Sequence, residues 1–303
     1  MKFGVNILNF GPDAGPETLA GWARLAEDLG FHIAMMSDHI TVTPDVAEQY
    51  PAPFYDQFAA LAWLAGMTSR IELGTTVTIV PYRHPLQTAR LVANLDRLSG
   101  GRFVFGVSIG WARHEFEALS IPFERRGAIT DEYLAVIREH WDKDLLSFEG
   151  EFARFRDVAT APRPERVRVW VGAQLNPAGL RRTVRFGDAW HPINMPVTVF
   201  RDKGLPALRA AAEAEDRPVP ALAPRIKMRI SSSRLPEDER RPGEGTLAQI
   251  RGDLEVLAGL GVDYLIFDSY LGAPDPWEPA EEHWRRFETL AGQLIDTERE
   301  TLR

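Results

Sequence analysis

A carboxylate and an imidazole stand side by side where an apolar segment of the sequence ends. The segment runs from Phe31 to Met36 and has the unbroken apolar pattern of a strand that is buried on both faces. It is followed by Ser37, Asp38 and His39. An imidazole titrates near neutral pH and can exchange a proton with a substrate, and a carboxylate can fix its orientation. The pair indicates acid–base chemistry, although its position alone agrees equally well with a structural role.

Two other strand ends carry groups that suit a ligand. The segment from Leu73 to Thr78 ends in small polar residues, on which a flat ring could lie. The segment from Val169 to Asn176 passes through Gly172 into a helix N-terminus, which attracts anions. Because the carboxyl ends of parallel strands share one edge, where ligands bind, these groups are expected to meet. Together they predict a site for a planar, phosphorylated cofactor.

The spacing of glycines indicates the elements that position these groups. A helical pattern, a glycine and an apolar strand follow one another at four places, with the glycines at Gly30, Gly101, Gly187 and Gly261. Glycine after a helix supplies a left-handed cap before a short loop. Further strands are expected near 2–9, 70–79, 167–172 and 224–232. About eight strand–helix units predict a (β/α)8 barrel, with an open doubly wound sheet as the alternative.

The 303 residues are expected to form one domain, because α/β barrels of this length are usually single domains. Three segments break the strand–helix rhythm and are interpreted as insertions near 41–54, 146–157 and 231–247. The second alternates around Gly150 like a β-hairpin. The third is rich in charge, Pro and Gly, which is typical of a lid over a barrel mouth.

The composition excludes several classes of partner. A formal net charge of −8 argues against a nucleic-acid partner. The chain has no cysteine, which excludes disulfides and thiolate catalysis and fits the reducing cytoplasm, where we expect the protein. No apolar stretch has the length of a transmembrane helix, so no membrane partner is expected. The N-terminal residues 1–10 are interpreted as a strand and not as a signal peptide.

Two motif matches suggest other chemistry. Residues 106–110 match G-x-S-x-G around Ser108, as in serine hydrolases. The one late histidine, His283, lies in a charged helical pattern, so a tight turn whose N–H groups face a ligand is the favoured interpretation. His114 and Glu115 begin an H-E-x-x-H motif, but Ala118 replaces the second histidine. We therefore predict no metal site.

Two blocks of the sequence resemble the luciferase-like monooxygenase superfamily of flavin and deazaflavin oxidoreductases. The first runs from Arg83-His84-Pro85 to Asp131-Glu132-Tyr133, and the second from Phe155 to Pro192. The resemblance covers nearly the whole chain. It implies a (β/α)8 barrel with insertions, in agreement with the count of strand–helix units.

Within this superfamily, Ser37-Asp38-His39 resembles the branch that uses coenzyme F420, a deazaflavin. The resemblance implies an oxidoreductase that transfers a hydride between F420 and a small organic substrate, while the protein orients both. The alternative is an FMN-dependent monooxygenase that uses reduced flavin and O2. A non-enzymatic flavin-binding protein is less favoured, because it would need no acid–base pair. The family is often dimeric, so a homodimer is among the expectations.

The resemblance also implies roles for individual residues. His39 is expected to act as the general acid or base, and Asp38 to orient it and contact the cofactor. The other expected cofactor contacts are Thr75, Thr76, Val77 and Asn94 for the ring, and Ser108, Ile109, Gly110, Gly172, Ala173 and Gln174 for the phosphate. A non-proline cis peptide is expected at Thr76–Val77.

The resemblance bears on the substrate as well. Trp111 stands where the sugar-phosphate dehydrogenases of the family carry an acidic residue. That difference argues against glucose 6-phosphate and favours an apolar or aromatic substrate, which Trp111 and His191 are expected to contact. The segments 41–54, 231–247 and 268–276 are expected to decide which substrate binds.

Overall fold

Parallel strands at eight positions form the inner wall of the protein in the computed structural model, which describes residues 1–272 and 276–303. The strands are β1 (Lys2–Ile7), β2 (Ile33–Met36), β3 (Glu72–Thr75), β4 (Thr78–Ile79), β5 (Phe103–Ser108), β6 (Leu145–Glu149), β7 (Arg154–Ala159), β8 (Arg168–Val171), β9 (Ala189–Trp190), β10 (Ala221–Leu222), β11 (Arg225–Lys227), β12 (Arg229–Ile230), β13 (Glu244–Gly245), β14 (Tyr264–Asp268), β15 (Ile295–Asp296) and β16 (Thr301–Leu302).

Helices cover the outside of this wall. They are α1 (Pro16–Asp28), α2 (Pro44–Ala47), α3 (Gln57–Ala65), α4 (Pro85–Ser99), α5 (Arg113–Ala118), α6 (Arg126–Asp142), α7 (Pro177–Phe186), α8 (Val197–Val199), α9 (Leu205–Ala214), α10 (Leu247–Gly259) and α11 (Ala280–Gln293). Within the ranges that the structure describes, no helix is both long enough and apolar enough to cross a membrane.

The sheet closes on itself. Its strand order is β10-β9-β8-β5-β3-β2-β1-β14-β11, all parallel, and β4 extends β3 along β5. The two ends of this order, β10 and β11, are consecutive in the chain and are separated only by Ala223 and Pro224. Backbone hydrogen bonds join this segment to both neighbours, from Ala223 N to Trp190 O and from Ile266 N to Pro224 O. The predicted (β/α)8 barrel is confirmed, and the open doubly wound sheet is not found.

Both faces of the barrel strands are buried, because successive side chains alternate between two apolar layers. Ile33 and Met35 of β2 point into the barrel interior, whereas Ala34 and Met36 pack toward the helices. The interior layer consists of Ile33, Met35, Val104, Trp170, Ala189, Ala223, Tyr264 and Ile266. Alternation of this kind explains the unbroken apolar pattern that marked β2 in the sequence.

The predicted left-handed glycine caps are confirmed at three of four positions. Gly30, Gly101 and Gly261 have φ between 77° and 79°. The prediction is wrong at Gly187, which has an extended backbone with φ of −97°. There the absence of a side chain has another reason, since a Cβ would lie 2.7 Å from the Thr183 carbonyl oxygen.

The predicted insertions have three different structures. Residues 146–157 fall within the antiparallel hairpin β6–β7, as expected. Residues 41–54 contain α2 and a cis bond between Ala52 and Pro53. Residues 231–247 are held against α10, because Arg240 forms two hydrogen bonds of 2.6 and 2.9 Å with the carboxylate of Asp253.

Candidate active site

A cavity of about 380 Å³ opens at the carboxyl ends of the barrel strands. This volume is in the usual range for sites that bind small molecules. It is lined by Ser37, Asp38, His39, Tyr50, Thr76, Val77, Ile79, Ser108, Ile109, Gly110, Trp111, Gly127, Gly172, Ala173, Gln174, Asn176, Ala178, Gly179, Arg182, Ile193 and Arg225. The structure thus brings most of the predicted site residues together and leaves out Thr75, Asn94 and His191.

The Asp38 carboxyl is committed to a buried ion pair. It accepts hydrogen bonds from Arg83 Nη1 at 2.7 Å and Nη2 at 2.9 Å, and from the Ile79 N–H at 2.9 Å. Burial raises the pKa of Asp38, and the Arg83 charge and these hydrogen bonds oppose that rise. Arg83 also donates to Asp56 at the start of α3. Asp38 therefore anchors the strand end to neighbouring elements.

His39 is oriented by a different carboxylate. Its Nδ1 lies 2.7 Å from Glu115 Oε2 in α5. A carboxylate oxygen accepts, so the proton of the neutral imidazole is on Nδ1 and Nε2 is available to a ligand. Among residues 1–272 and 276–303, no group bonds to Nε2. The prediction that Asp38 orients His39 is wrong; Glu115 has this role.

Glu115 is fully buried and held by four donors. In addition to His39, it accepts hydrogen bonds from the Ile40 N–H at 2.6 Å, the Thr41 N–H at 3.2 Å and the Tyr82 hydroxyl at 2.7 Å. Burial raises the pKa of Tyr82 and the Glu115 charge raises it further, so the phenol stays protonated and donates. In the sequence, Glu115 belongs only to the incomplete H-E-x-x-H motif, and its one further signal is its position in the connection that follows β5.

Aromatic rings cover His39 on the open side of the cavity. The centroids of Tyr50, Phe54 and Trp111 lie 5.4, 5.2 and 5.7 Å from that of the imidazole. Tyr50 belongs to the 41–54 insertion, and burial raises the pKa of its phenol. Trp111 is 40% exposed at the cavity mouth. This aromatic wall limits the access of water to the imidazole.

The cavity floor is the bulge after β3. The peptide bond between Thr76 and Val77 is cis, as expected from the resemblance. Both residues line the cavity. Gly172 lies against this floor, because a Cβ at that position would come within 2.9 Å of Val77 Cγ1. The glycine therefore keeps the cavity open beside the bulge.

Two predicted cofactor contacts are corrected by the structure. Thr75 is fully buried and donates its hydroxyl to the Gly106 carbonyl at 2.7 Å, so it ties β3 to β5 and does not reach the cavity. Asn94 lies on the exposed face of α4, whose buried face carries Val92 and Ala93. The prediction placed Asn94 in a helix but did not determine whether its side chain lies on the buried or the exposed face.

His191 lies beneath the floor, so the prediction that it contacts the substrate is wrong. Its Nδ1 donates to the Ala223 carbonyl, and its Nε2 accepts from the Thr76 hydroxyl at 2.8 Å. Burial and the nearby charge of Arg225 lower the pKa of His191 to about 4. The imidazole is therefore neutral at physiological pH and joins strands around the barrel.

The other end of the cavity suits an anion. The first turn of α7 borders it at Ala178 and Gly179, and the first turn of α6 at Gly127. Arg182 lines the same end, with its Nε 2.6 Å from Asp131 and its Nη2 donating to the Gly127 carbonyl at 3.1 Å. Helix N-termini and a guanidinium attract phosphate. Sequence reasoning found the α7 turn and missed Arg182.

The G-x-S-x-G match has a structural explanation. The Ser108 hydroxyl donates to the Gly172 carbonyl at 2.9 Å and has no histidine partner in the part of the chain that the structure describes. A Cβ at Gly106 would lie 1.8 Å from the Thr75 carbonyl oxygen. Gly110 has φ of +79°. Close approach and turn geometry therefore require both glycines, and the arrangement is not that of a hydrolase.

A buried charge cluster borders the cavity beside the floor. Asp268 accepts hydrogen bonds of 2.8 Å from both Arg225 Nη2 and Lys227 Nζ. Although burial raises the pKa of Asp268, the charges and hydrogen bonds of these two cations outweigh it and hold the pKa well below its usual range. Arg225 Nη1 also donates to the Thr76 carbonyl at 2.8 Å. This hydrogen bond helps to hold the bulge in place.

The segments expected to decide the substrate contribute unequally. Tyr50 from 41–54 lines the cavity, whereas no residue of 231–247, all of which the structure describes, does so. The interpretation of 231–247 as a lid gains no support. Of the segment 268–276, residues 273–275 lie outside the described residues. Over the described ranges, no three His, Asp or Glu side chains are grouped to hold a metal ion.

Comparison with known proteins identifies a family and several relatives of this chain. A model of the luciferase-like monooxygenase family matches residues 1–252. The F420-dependent glucose-6-phosphate dehydrogenase of Amycolatopsis mediterranei is 31% identical over 229 residues, which cover 73% of this chain and 66% of that protein. The pyrimidine monooxygenase RutA of Pantoea ananatis is 32% identical over 174 residues, which cover 54% of this chain and 47% of that protein.

A solved structure shows the same fold. The monooxygenase RslO1 from Streptomyces bottropensis superposes with a TM-score of 0.79 at 23% sequence identity. The superposition covers 96% of this chain and 98% of that chain. At this level of identity the likeness concerns the barrel and carries no information on the reaction.

Proposed function

Because this chain belongs to the luciferase-like monooxygenase family, we propose that it is an F420-dependent oxidoreductase that transfers a hydride between the deazaflavin and a small organic substrate. The observation that carries the proposal is the His39–Glu115 pair in the cavity wall. A carbonyl carbon that receives a hydride needs a proton on its oxygen, and the reverse oxidation must remove that proton. An oriented imidazole with a free Nε2 meets both needs.

The cavity fits a phosphorylated planar cofactor in three respects. Thr76 and Val77 form a floor on which the ring would rest. Gly172 leaves space beside Val77 that a Cβ would fill. Arg182 and the first turn of α7 would hold the phosphate, as would the turn around Gly110. When bound, the deazaflavin supplies a carbon that accepts or releases a hydride.

We assign the proton transfer to His39 Nε2. Glu115 fixes the imidazole through Nδ1, so that only Nε2 is presented to the substrate oxygen. Tyr50 and Trp111 stand at the imidazole and exclude water from the reacting atoms. The same two rings provide an apolar, planar surface, which supports a substrate with an apolar or aromatic body.

A second candidate is an FMN-dependent monooxygenase that uses reduced flavin and O2. It is favoured by the match to the RutA monooxygenase, which covers 54% of this chain. The match to the F420-dependent dehydrogenase covers more of the chain, at 73%. The Ser37-Asp38-His39 end of β2 also resembles the F420-using branch. We therefore place the deazaflavin first.

Cofactor titration separates the two candidates. The purified protein is titrated with F420 and, separately, with FMN, and both fluorescence and melting temperature are recorded. We expect saturable binding of F420 and a rise in melting temperature, because a ligand that binds only the folded state stabilises it. Micromolar binding of FMN without any response to F420 would overturn the proposal.

The replacement Glu115→Gln tests the coupling of the pair. The amide presents an oxygen and an NH₂ group where the carboxylate accepts four hydrogen bonds, so it holds the imidazole less firmly. We expect turnover with bound cofactor to fall by about 10- to 100-fold, the usual cost of removing a group that orients a functional histidine.

The control is Glu117→Gln, an exposed position two residues along the same helix. It should leave the turnover rate unchanged. Both variants are compared at equal occupancy by the cofactor. An unchanged turnover rate for Glu115→Gln, with the fold intact, would contradict the assignment of Glu115.

A further inference from the structure

The charges beside the cavity floor do not cancel. Arg225, Lys227 and Asp268 are 5%, 5% and 1% exposed. Both cations pair with the single carboxylate, at 2.8 Å each. Among residues 1–272 and 276–303, two buried cations and one buried anion leave one positive charge without a charged partner. An uncompensated charge in such a place is costly unless another group offsets it.

The neighbouring groups that the structure describes do not supply that anion. The second oxygen of Asp268 accepts from the Asn6 side chain and the Tyr270 N–H, both at 3.1 Å and both neutral. His191 is neutral, because its pKa is lowered to about 4 by burial and by Arg225. Of the other buried carboxylates near the cavity, Asp38 is paired with Arg83, and Glu115 is occupied by its own four donors. Neither makes an ion pair with Arg225.

Arg225 is the member of the cluster that reaches the cavity. It is one of the lining residues, whereas Lys227 is not. Its Nη groups are used by Asp268 and Thr76, but its Nε–H has no acceptor among residues 1–272 and 276–303. A cation with an unused donor therefore stands at the edge of the cavity floor.

We propose that Arg225 forms a subsite for an organic anion whose charged oxygen is joined to a planar body, such as an aromatic carboxylate. The inference rests on the proposed function, since it narrows the substrate class of the same cavity. A guanidinium suits a carboxylate in charge and in planar shape. The rings of Tyr50 and Trp111, which share the cavity with Arg225, supply the surface for the planar body.

An anionic oxygen at Arg225 can come from either of two molecules. It can belong to the substrate, or it can belong to the polar edge of the cofactor ring that would rest on Thr76 and Val77. We assign it to the substrate, because Arg225 lies close enough to act electrostatically on Tyr50, one of the rings of the aromatic wall that would face the substrate. The two sources are distinguished by measuring cofactor binding and small-anion binding on the same variants.

The test uses benzoate and its neutral analogue benzamide. Both are titrated into the purified protein by calorimetry, with inorganic phosphate present to occupy the anion end near Arg182. We expect benzoate to bind more tightly than benzamide. Arg225→Met should weaken benzoate by about 10- to 100-fold and abolish the preference over benzamide, because a charge-assisted hydrogen bond is lost.

Two controls distinguish direct contact of Arg225 with the anion from the effect of the cluster's net charge. Arg225→Lys retains the charge and should retain the preference for benzoate. Lys227→Met removes the same charge from a side chain that does not line the cavity, and should weaken benzoate less than Arg225→Met does. Arg225→Met leaves the neutral Lys227–Asp268 pair in place, so it is expected to fold, and its melting temperature is recorded.

The outcomes are distinct. Benzoate binding that is equal in Arg225→Met and in the unmodified protein overturns the subsite. A loss of F420 affinity in Arg225→Met with unchanged benzoate binding also overturns it, because the charge then serves the cofactor ring. If F420 and FMN both fail to bind the unmodified protein, and Arg225→Met still weakens benzoate binding, the proposed function fails and the subsite stands.

Discussion

His39→Ala is expected to lower the rate of substrate turnover by roughly 10²–10⁴-fold, the usual contribution of a positioned general acid or base. Binding of F420 is expected to persist, because the floor at Thr76 and Val77 and the anion end at Arg182 are unchanged. The rate is measured in single turnover with reduced F420 and the carbonyl compound that reacts fastest in a screen of aldehydes, enones and quinones. Affinity is measured separately by fluorescence.

The matched control is His114→Ala, which removes an imidazole from the exposed side of α5. It should keep the full rate. A His39→Ala variant that binds F420 and turns over at the unmodified rate would remove His39 from the mechanism. A variant that no longer binds F420 would give the residue a role in binding instead.

Asp268→Asn is expected to destabilise the protein by about 3–5 kcal/mol, the cost of breaking a buried ion pair. The amide keeps the shape of the side chain but leaves Arg225 and Lys227 without a counter-ion. The free energy of unfolding is measured by denaturant titration at neutral pH. Adding Lys227→Met should recover part of the loss, because it removes one of the two unpaired cations.

The destabilisation should depend on pH in a defined direction. The Asp268 pKa is depressed in the folded state, because Arg225 and Lys227 outweigh the effect of burial. The folded protein therefore gains stability above the pKa of an unfolded aspartate, about 3.9, and loses it as the pH falls toward the folded pKa. The difference between the unmodified protein and Asp268→Asn should shrink as the pH is lowered from 5 to 2.

The control for this prediction is Asp56→Asn. Asp56 also pairs with an arginine, the half-buried Arg83, but the Asp56 side chain is 49% exposed. Asp38 would remain as a partner for Arg83. A half-exposed ion pair contributes about 0–1 kcal/mol. Equal losses for Asp56→Asn and Asp268→Asn would show that burial of the cluster is not what makes Asp268 important.

The barrel was predictable because its signals are local and repeated. Each unit joins a helical pattern to an apolar strand within a few residues, so one misread element does not change the count. The strand ends were predictable for the same reason, since a polar residue directly after a buried strand must lie at the carboxyl edge. That is how Asp38, His39 and Gly172 were placed together from sequence alone.

The pairing of charges was not predictable, because it depends on contacts between distant parts of the chain. Glu115 reaches His39 across 76 positions, and Arg83 reaches Asp38 across 45. Neither distance has a pattern in the sequence. Asp38 was therefore assigned to its sequence neighbour His39, although folding turns the two side chains toward different partners.

The direction in which a side chain points at a strand end could not be predicted from the sequence either. Thr75 and Thr76 are consecutive, yet one ties two strands together and the other lines the cavity. His191 follows β9 in the way that His39 follows β2, but it turns under the floor. A bulge or a shift of one residue decides between the two outcomes.

Two of the three rings of the aromatic wall, Tyr50 and Phe54, come from a different part of the chain than the cradle proposed for the cofactor. Thr76, Gly110 and Gly172 lie directly after barrel strands, whereas Tyr50 comes from the 41–54 connection. Exchange of this one connection would therefore change the wall that faces the proposed substrate and leave the strand ends of the proposed cofactor site unchanged. Grafting a foreign loop between β2 and α3 is accordingly the natural route for re-engineering this barrel toward new compounds.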